Sequence, residues 1–244
     1  MVRYRLSGAL ALGLTVLVPT AAHAQVTQDF TISATPTKAS TKKVRRSVNL
    51  KVSTGTRDAS GAQPPSTKNV QIFFPRGSSW NGGLFPTCAP SAISSARTTD
   101  ECPAGSMIGT GKAAGLAPGP ITQNDLKISI ANGGKSSLSM FVEGTSPLRI
   151  QSNIVVKISK VSGKYGLRTD IPIPANLQEP APGVPVAVTL FSISIKKTAK
   201  IKGKTRGIIE IDRCDGGIWN GEGTFDYADG TDFAASRTLK CTKG

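Results

Sequence analysis

Four cysteines are the residues of this sequence best suited to covalent chemistry. Cys88 and Cys102 lie in one part of the chain, and Cys214 and Cys241 lie near its end. An even number of cysteines in an exported chain predicts two disulfides, although three pairings are possible. We favour Cys88–Cys102 and Cys214–Cys241, because each pair brackets a local unit that contains turn residues. A structural zinc site is the alternative, but the Cys-x2-Cys spacing typical of such sites is absent.

The only histidine, His23, lies in a segment that we predict is removed. The product would then have no imidazole. This excludes Ser-His-Asp and Cys-His catalysis in their usual forms, and any metal site that uses histidine. We therefore expect no catalytic residue, no cofactor, no metal site and no enzymatic activity.

Acidic pairs are the remaining candidates for catalysis. Asp100 with Glu101, or Glu210 with Asp212, could serve a glycosidase, which uses two carboxylates. The first pair lies inside the predicted disulfide-closed loop. The second pair is predicted on the outer face of a strand, where ordinary surface ion pairing explains it. A carboxylate-based hydrolase stays an alternative.

Three further carboxylates lie in or near the dipeptide Asp229-Gly230. Asp226, Asp229 and Asp232 could offer oxygen ligands to Ca²⁺, but they lack the Asp-x-Asp-x-Asp-Gly register of a calcium loop. We favour a turn with solubilising charges.

Two tryptophans could bind sugar rings. Trp80 and Trp219 each lie beside an Asn-Gly dipeptide, and an exposed indole on a β-sandwich can stack on carbohydrate. More often such a residue fills a gap beneath a loop near a disulfide. A carbohydrate-binding or adhesive module that uses Trp80 or Trp219 is the second alternative.

A stripe of cations is the strongest binding candidate. Lys196, Lys200, Lys202, Lys204 and Arg206 occupy even positions, so they would share one face of an extended segment and form a polyanion-binding ridge. The alternative is a solvated hairpin tip whose lysines prevent edge-to-edge aggregation. No aromatic residue interleaves the stripe, which disfavours nucleic acid as a partner.

The amino terminus has the three parts of a secretory signal peptide. Arg3 and Arg5 precede an apolar run over residues 8–18, and Ala22-His23-Ala24 forms a cleavage site. The run is shorter than the roughly 20 residues that span a bilayer. We predict cleavage after Ala24 and a single mature domain, residues 25–244, without a transmembrane segment.

The mature chain is strongly basic. Without Arg3 and Arg5, 28 basic residues face 15 acidic ones, a formal charge of +13. Such a charge favours anionic polymers and surfaces as partners, and its effect weakens with salt.

Strand patterns recur along this mature chain, and no stretch shows a helical period. Residues 127–130 and 138–142 flank Asn132-Gly133-Gly134, which predicts a hairpin with a type I′ turn. We expect residues 208–211 to pair with residues 184–195 across a basic turn.

These strands together predict an all-β fold. The spacing is typical of an antiparallel β-sandwich of about ten strands. A long loop over residues 76–106 would be closed by the first disulfide, and a C-terminal hairpin unit around Asp229-Gly230 would be closed by the second.

Several segments resemble a group of secreted, signal-peptide-bearing, β-rich proteins of actinobacteria. They are Phe73-Phe74-Pro75-Arg76-Gly77, Phe85-Pro86-Thr87-Cys88, Cys102-Pro103-Ala104-Gly105 and Gly223-Thr224-Phe225-Asp226-Tyr227-Ala228-Asp229-Gly230. The resemblance spans most of the mature chain and implies an exported β protein with similarly placed cysteines. It brings no activity, ligand or catalytic residue.

We therefore expect a non-enzymatic protein of the cell envelope or extracellular space. It would bind an anionic cell-wall polymer or lipid head groups through its lysine-rich face.

Overall fold

A computed structural model of the protein describes residues 26–119 and 121–244. The predicted signal peptide and its cleavage site lie outside the described residues. Within these two ranges, no helix has both the length and the apolar character needed to cross a membrane.

Strands make up most of the described chain. They are β1 (Val26–Thr35), β2 (Asn49–Asp58), β3 (Thr67–Pro75), β4 (Ser78–Trp80), β5 (Met107–Ala117), β6 (Ile121–Asn132), β7 (Ser137–Gly144), β8 (Ile150–Lys160), β9 (Tyr165–Pro172), β10 (Ala187–Ile195), β11 (Thr198–Ile201), β12 (Lys204–Gly207), β13 (Ile209–Ile211), β14 (Ile218–Tyr227) and β15 (Asp232–Lys240). Two short α-helices, α1 (Pro90–Ala96) and α2 (Ala175–Gln178), and one 3-10 turn (Gly82–Leu84) accompany them. The sequence predicted no helix, because elements of 7 and 4 residues are too short to set up an apolar period.

One antiparallel sheet of 11 strands dominates the fold, in the order β1-β2-β10-β5-β6-β7-β8-β9-β3-β14-β15. Its two edge strands, β1 and β15, contact each other, so the sheet curls into a nearly closed cylinder. The predicted all-β, antiparallel architecture is confirmed. The two layers expected of a sandwich are opposite walls of this single sheet.

The core fills the inside of the cylinder. β1 alternates buried and exposed residues, with Phe30, Ile32 and Ala34 facing inward. The ring of Phe30 meets that of Phe225 edge-on, with 6.4 Å between centroids. A Cβ at Gly223 would lie 3.0 Å from the Phe30 ring, so glycine makes room for this side chain where the sheet closes.

The first predicted disulfide, Cys88–Cys102, is confirmed. It closes the long segment that was predicted as a loop and that also contains α1. Ile93 of α1 packs with Ala131 and Phe141 in a small cluster around this disulfide. The disulfide therefore holds α1 against the outer face of the sheet.

The second predicted disulfide, Cys214–Cys241, is also confirmed. It joins the segment before β14 to the residue after β15. The chain then pairs with an earlier segment, because the Ala39 N–H donates to the Thr242 carbonyl at 2.9 Å. This end of the cylinder is thereby tied together covalently and by backbone hydrogen bonds.

Two predicted pairings need correction. The hairpin around Asn132 exists as β6–β7, but residues 133–136 connect the two strands, which is too long for a two-residue type I′ turn. Residues 209–211 form β13, which pairs with β4 rather than with β10. β10 is unavailable to β13 because it pairs with β2 and β5 on its two sides.

Candidate functional site

Charge is distributed unequally between the two ends of the cylinder. We call one end the basic end. Together, the segments that connect or follow strands at this end contain 17 Lys or Arg and 5 Asp or Glu residues. These segments are 36–48, 76–106, 133–136, 161–164, 196–217 and 241–244. We call the other end the open end, and its connecting segments contain 1 Lys or Arg and 2 Asp or Glu residues. These segments are 59–66, 118–120, 145–149, 173–186 and 228–231. The positive potential of the protein therefore concentrates at one end.

The cations predicted to contact a polyanion lie on and beside the β11–β12 hairpin at the basic end. The hairpin turns at Lys202-Gly203, where both residues have positive φ angles, 48° and 76°. Cross-strand partners share a face, so Lys200 lies on one face while Lys204 and Arg206 lie on the other. The prediction that these cations share one face is wrong, because the segment forms a hairpin instead of staying extended.

Arg206 is engaged by a buried carboxylate. Glu210 is 1% exposed, and its two oxygens accept hydrogen bonds from Arg206 at 2.9 and 3.3 Å. The Gly207 N–H donates to the same carboxylate at 2.9 Å, and Arg45 lies 3.9 Å away. Arg206 therefore anchors the hairpin and is not a free polyanion contact. The prediction that Glu210 lies on an outer face is wrong, because these donors draw it inside.

Two cations that the sequence analysis missed lie beside the hairpin. Lys42 and Lys43 occupy a turn in which a backbone hydrogen bond of 2.8 Å closes residues 41–44. Nearby, the Ser47 hydroxyl donates to the Lys197 carbonyl at 3.2 Å and fastens this segment to the base of the hairpin. The dense run Lys-Lys-Val-Arg-Arg was the available signal, since such runs are typical of polyanion-binding patches.

These two segments form what we call the basic surface. It contains six exposed lysines, Lys42, Lys43, Lys196, Lys200, Lys202 and Lys204. None of them makes an ion pair with any residue in the described part of the chain. Like charges held close together repel one another. An extended polyanion that spans several of them relieves this repulsion and releases counterions.

A cleft of about 190 Å³ adds further cations at the basic end. Its charged lining residues are three cations, Arg76, Lys164 and Arg213, and one carboxylate, Asp215. Arg76 lies 3.8 Å from Asp215, which leaves an excess of positive charge in the cleft.

The tryptophans have internal roles. Trp219 is buried, and its indole N–H donates to the Arg213 carbonyl at 2.5 Å. Trp80 packs against the core, and its indole N–H donates to the Gly134 carbonyl at 2.8 Å. Trp219 therefore presents no face to a sugar, and Trp80 acts as a plug beneath a loop.

The acidic pairs are not arranged as catalytic pairs. Asp100 and Glu101 are both exposed in the disulfide-closed segment. Glu210 is buried against Arg206, whereas Asp212 is exposed, so this pair is divided between the interior and the surface.

The three carboxylates at the open end belong to the β14–β15 hairpin. Asp226 and Asp232 are cross-strand partners, and Asp226 accepts from the Asn69 amide at 3.2 Å. Asp229 accepts from the Thr231 N–H at 2.9 Å and from its hydroxyl at 2.7 Å. This is the predicted turn, closed by an aspartate side chain.

Several perturbed pKa values lie outside the basic surface. At the open end, the Thr145 backbone N–H is the main cause that lowers the pKa of Asp125 to about 2. Burial raises the pKa of Tyr227, and burial also raises that of Tyr165. These shifts report hydrogen bonding and packing of the scaffold.

No family model, curated protein or solved structure matches this chain.

Proposed function

We propose that this is an exported, non-enzymatic protein that attaches to an anionic polymer of the cell envelope through its basic end. The observation that carries the proposal is the separation of charge, 17 basic and 5 acidic residues in the connections of one end against 1 and 2 at the other. A protein polarised in this way meets an anionic partner with its positive end first.

Two features of the chain support export. Residues 1–24 have the order of a secretory leader. The disulfides Cys88–Cys102 and Cys214–Cys241 account for all cysteines, and such bonds persist in oxidising compartments.

The residue types of the basic surface favour a polymer over a bilayer. Proteins that insert into the headgroup region present Trp, Phe or Leu beside their cations. Neither residues 41–46 nor residues 196–206 contain an aromatic residue or leucine. A flexible polymer with repeated phosphates or carboxylates needs only spaced cations, which Lys200, Lys202 and Lys204 supply around the hairpin.

The experiment is a binding titration with polyphosphate at increasing salt. We expect binding at low salt that weakens steadily, because each phosphate contact releases counterions. Reversing Lys200, Lys202 and Lys204 together to Glu should lower the magnitude of the salt slope by about 2, at somewhat less than one unit per contact. An uncharged dextran should not bind.

A matched control separates local contact from net charge. Lys51, Lys112 and Lys127 are exposed on the outer wall of β2, β5 and β6. Reversing these three changes the net charge equally but spares the basic surface. Equal losses in the two triple variants, or binding that ignores salt, would contradict the proposal. Tighter binding to anionic vesicles than to polyphosphate would point to lipid head groups instead.

A further inference from the structure

We propose that the open end of the cylinder binds an apolar ligand, a hydrocarbon chain such as the tail of a lipid, in a cavity between the walls of the sheet. The cavity has a volume of about 80 Å³, which admits the end of a hydrocarbon chain rather than its whole length, and it opens between the strand ends opposite the basic surface. This inference is independent of polymer binding.

Small residues on one wall create the space. Ala113, Ala114, Gly115 and Ala117 of β5 all line the cavity. The β5–β6 register shifts between Ala113 and Gly115, and two further register shifts occur in β10 and β14 near this end. Such bulges bend strands and often lie at the rims of closed sheets or beside binding sites.

The deeper walls are made of hydrocarbon. Ile128, Val142, Ile154, Ile171 and Phe225 face the cavity from five different strands. An interior of this kind offers no hydrogen bonds to water, which needs two to four polar partners to be held. Hydrocarbon is the matching chemistry.

Two polar side chains of the cavity wall, Thr56 and Gln123, are already hydrogen-bonded within the protein. The hydroxyls of Thr56 and Tyr227 both donate to the Gln28 side-chain oxygen at 2.6 Å. The Gln123 side-chain oxygen accepts from the Leu148 N–H at 3.0 Å, and its amide donates to Asp125. A ligand head group would therefore stay at the rim, and the tail would enter.

The rim is apolar and partly exposed. Ile121 is 45% exposed, and the partly buried side chains around it are Val70, Leu148, Ile173, Leu177, Val188 and Phe191. Contiguous exposed apolar surface is one of the marks of a ligand-binding groove. Because the opening leads inward between strands, it suits a narrow chain better than the flat surface of a second copy.

The rim is also fixed in place. The Asp125 carboxylate accepts hydrogen bonds from the Thr145 N–H at 2.7 Å and the Ser146 N–H at 3.1 Å. This holds the β7–β8 loop, which carries Leu148 to the rim. The entrance is thus built before a ligand arrives, which lowers the entropic cost of binding.

The test uses N-phenyl-1-naphthylamine, an uncharged fluorescent probe that the lysines do not attract. We expect saturable binding by the purified protein, displacement by a long-chain alcohol, and insensitivity to salt. Replacing Ala113 with Phe should fill the cavity and abolish binding. Ile121→Asp leaves the core intact and should weaken binding by about fivefold, since roughly half a side chain of apolar contact is lost.

Val155 provides the matched control, because it is 44% exposed on the outer wall of β8. Val155→Asp should leave probe binding unchanged. Absence of saturable binding, equal effects of Ile121→Asp and Val155→Asp, or a dimer that excludes the probe would each overturn the inference. In the variant with Lys200, Lys202 and Lys204 reversed to Glu, unchanged and salt-insensitive probe binding would show that the cavity binds its ligand independently of the basic surface.

Discussion

Removing the buried carboxylate of Glu210 should destabilise the protein more than any other single charge deletion at the basic end. Its oxygens receive two hydrogen bonds from Arg206 and one from the Gly207 N–H. Glu210→Ala would leave a guanidinium group and a backbone donor without their acceptor. Breaking a buried pair in this way costs about 3–5 kcal/mol.

The lower end of that range applies here. The Arg206 side chain retains 27% exposure, so water can partly hydrate it once the partner is gone. We expect a loss of about 3 kcal/mol for Glu210→Ala. Glu210→Gln keeps the shape and one acceptor oxygen and should lose about 1.5 kcal/mol, the value of a charge-assisted hydrogen bond.

Urea unfolding measures these losses. With an m-value of about 2–3 kcal/mol/M, Glu210→Ala should lower the midpoint by roughly 1 M. Glu222 is the control, because it accepts from Tyr165 at 2.7 Å and Ser236 at 2.9 Å but retains 26% exposure. Glu222→Ala should lose about 1 kcal/mol or less. Equal losses of stability in the two alanine variants, or a smaller loss for Glu210→Ala than for Glu210→Gln, would refute this role for the buried carboxylate.

Three further outcomes follow from hydrogen bonding, burial and cross-linking. The hydrogen bond from Thr145 lowers the pKa of Asp125 to about 2, so this carboxylate stabilises the fold above pH 4 and loses that effect as pH falls towards 2; Asp125→Asn should flatten the acid side of the thermal stability curve. Burial raises the pKa of Tyr227 above 10.0, so ultraviolet titration should show its phenolate forming later in the folded than in the denatured protein, and Tyr227→Phe should remove its part of the late step while that of Tyr165 remains. Replacing both Cys214 and Cys241 with Ser opens a cross-link of sequence separation 27 and should cost about 3.5 kcal/mol in urea unfolding; an unchanged midpoint would contradict the chain-entropy estimate.

Local features of the fold were predictable from local signals. The Cys88–Cys102 disulfide and the β6–β7 hairpin each depend on residues close together in sequence, and both are present. The curvature of the sheet was not predictable in the same way. It depends on contact between β1 and β15, the first and last strands of the described chain, and on glycines such as Gly223 that admit the side chains of a distant strand.

The candidate site was only partly predictable for a similar reason. Lys200, Lys202 and Lys204 are exposed as expected, but their division between two faces follows from the reversal at Gly203. The engagement of Arg206 depends on Glu210 being drawn inward by several donors together, which no period in the sequence reveals. The cavity depends on register shifts beside residues 113–117, a stretch of small and apolar residues in which no alternation of polar and apolar side chains marks the register.

The two proposed sites lie at opposite ends of one nearly closed sheet. Attachment of the basic surface to an envelope polymer would leave the open end facing away from it, free to take up an apolar ligand. The Cys214–Cys241 disulfide and the Glu210–Arg206 pair stabilise the basic end, while the small residues of β5 leave a cavity at the open end.

The most direct measurement of where a polyanion binds is a backbone amide chemical-shift map during titration with polyphosphate. We expect the largest changes in residues 41–46 and 196–206, with little change in the open-end connections 145–149 and 228–231. Shifts that spread evenly over the cylinder, or that concentrate at the open end, would contradict attachment through the basic end.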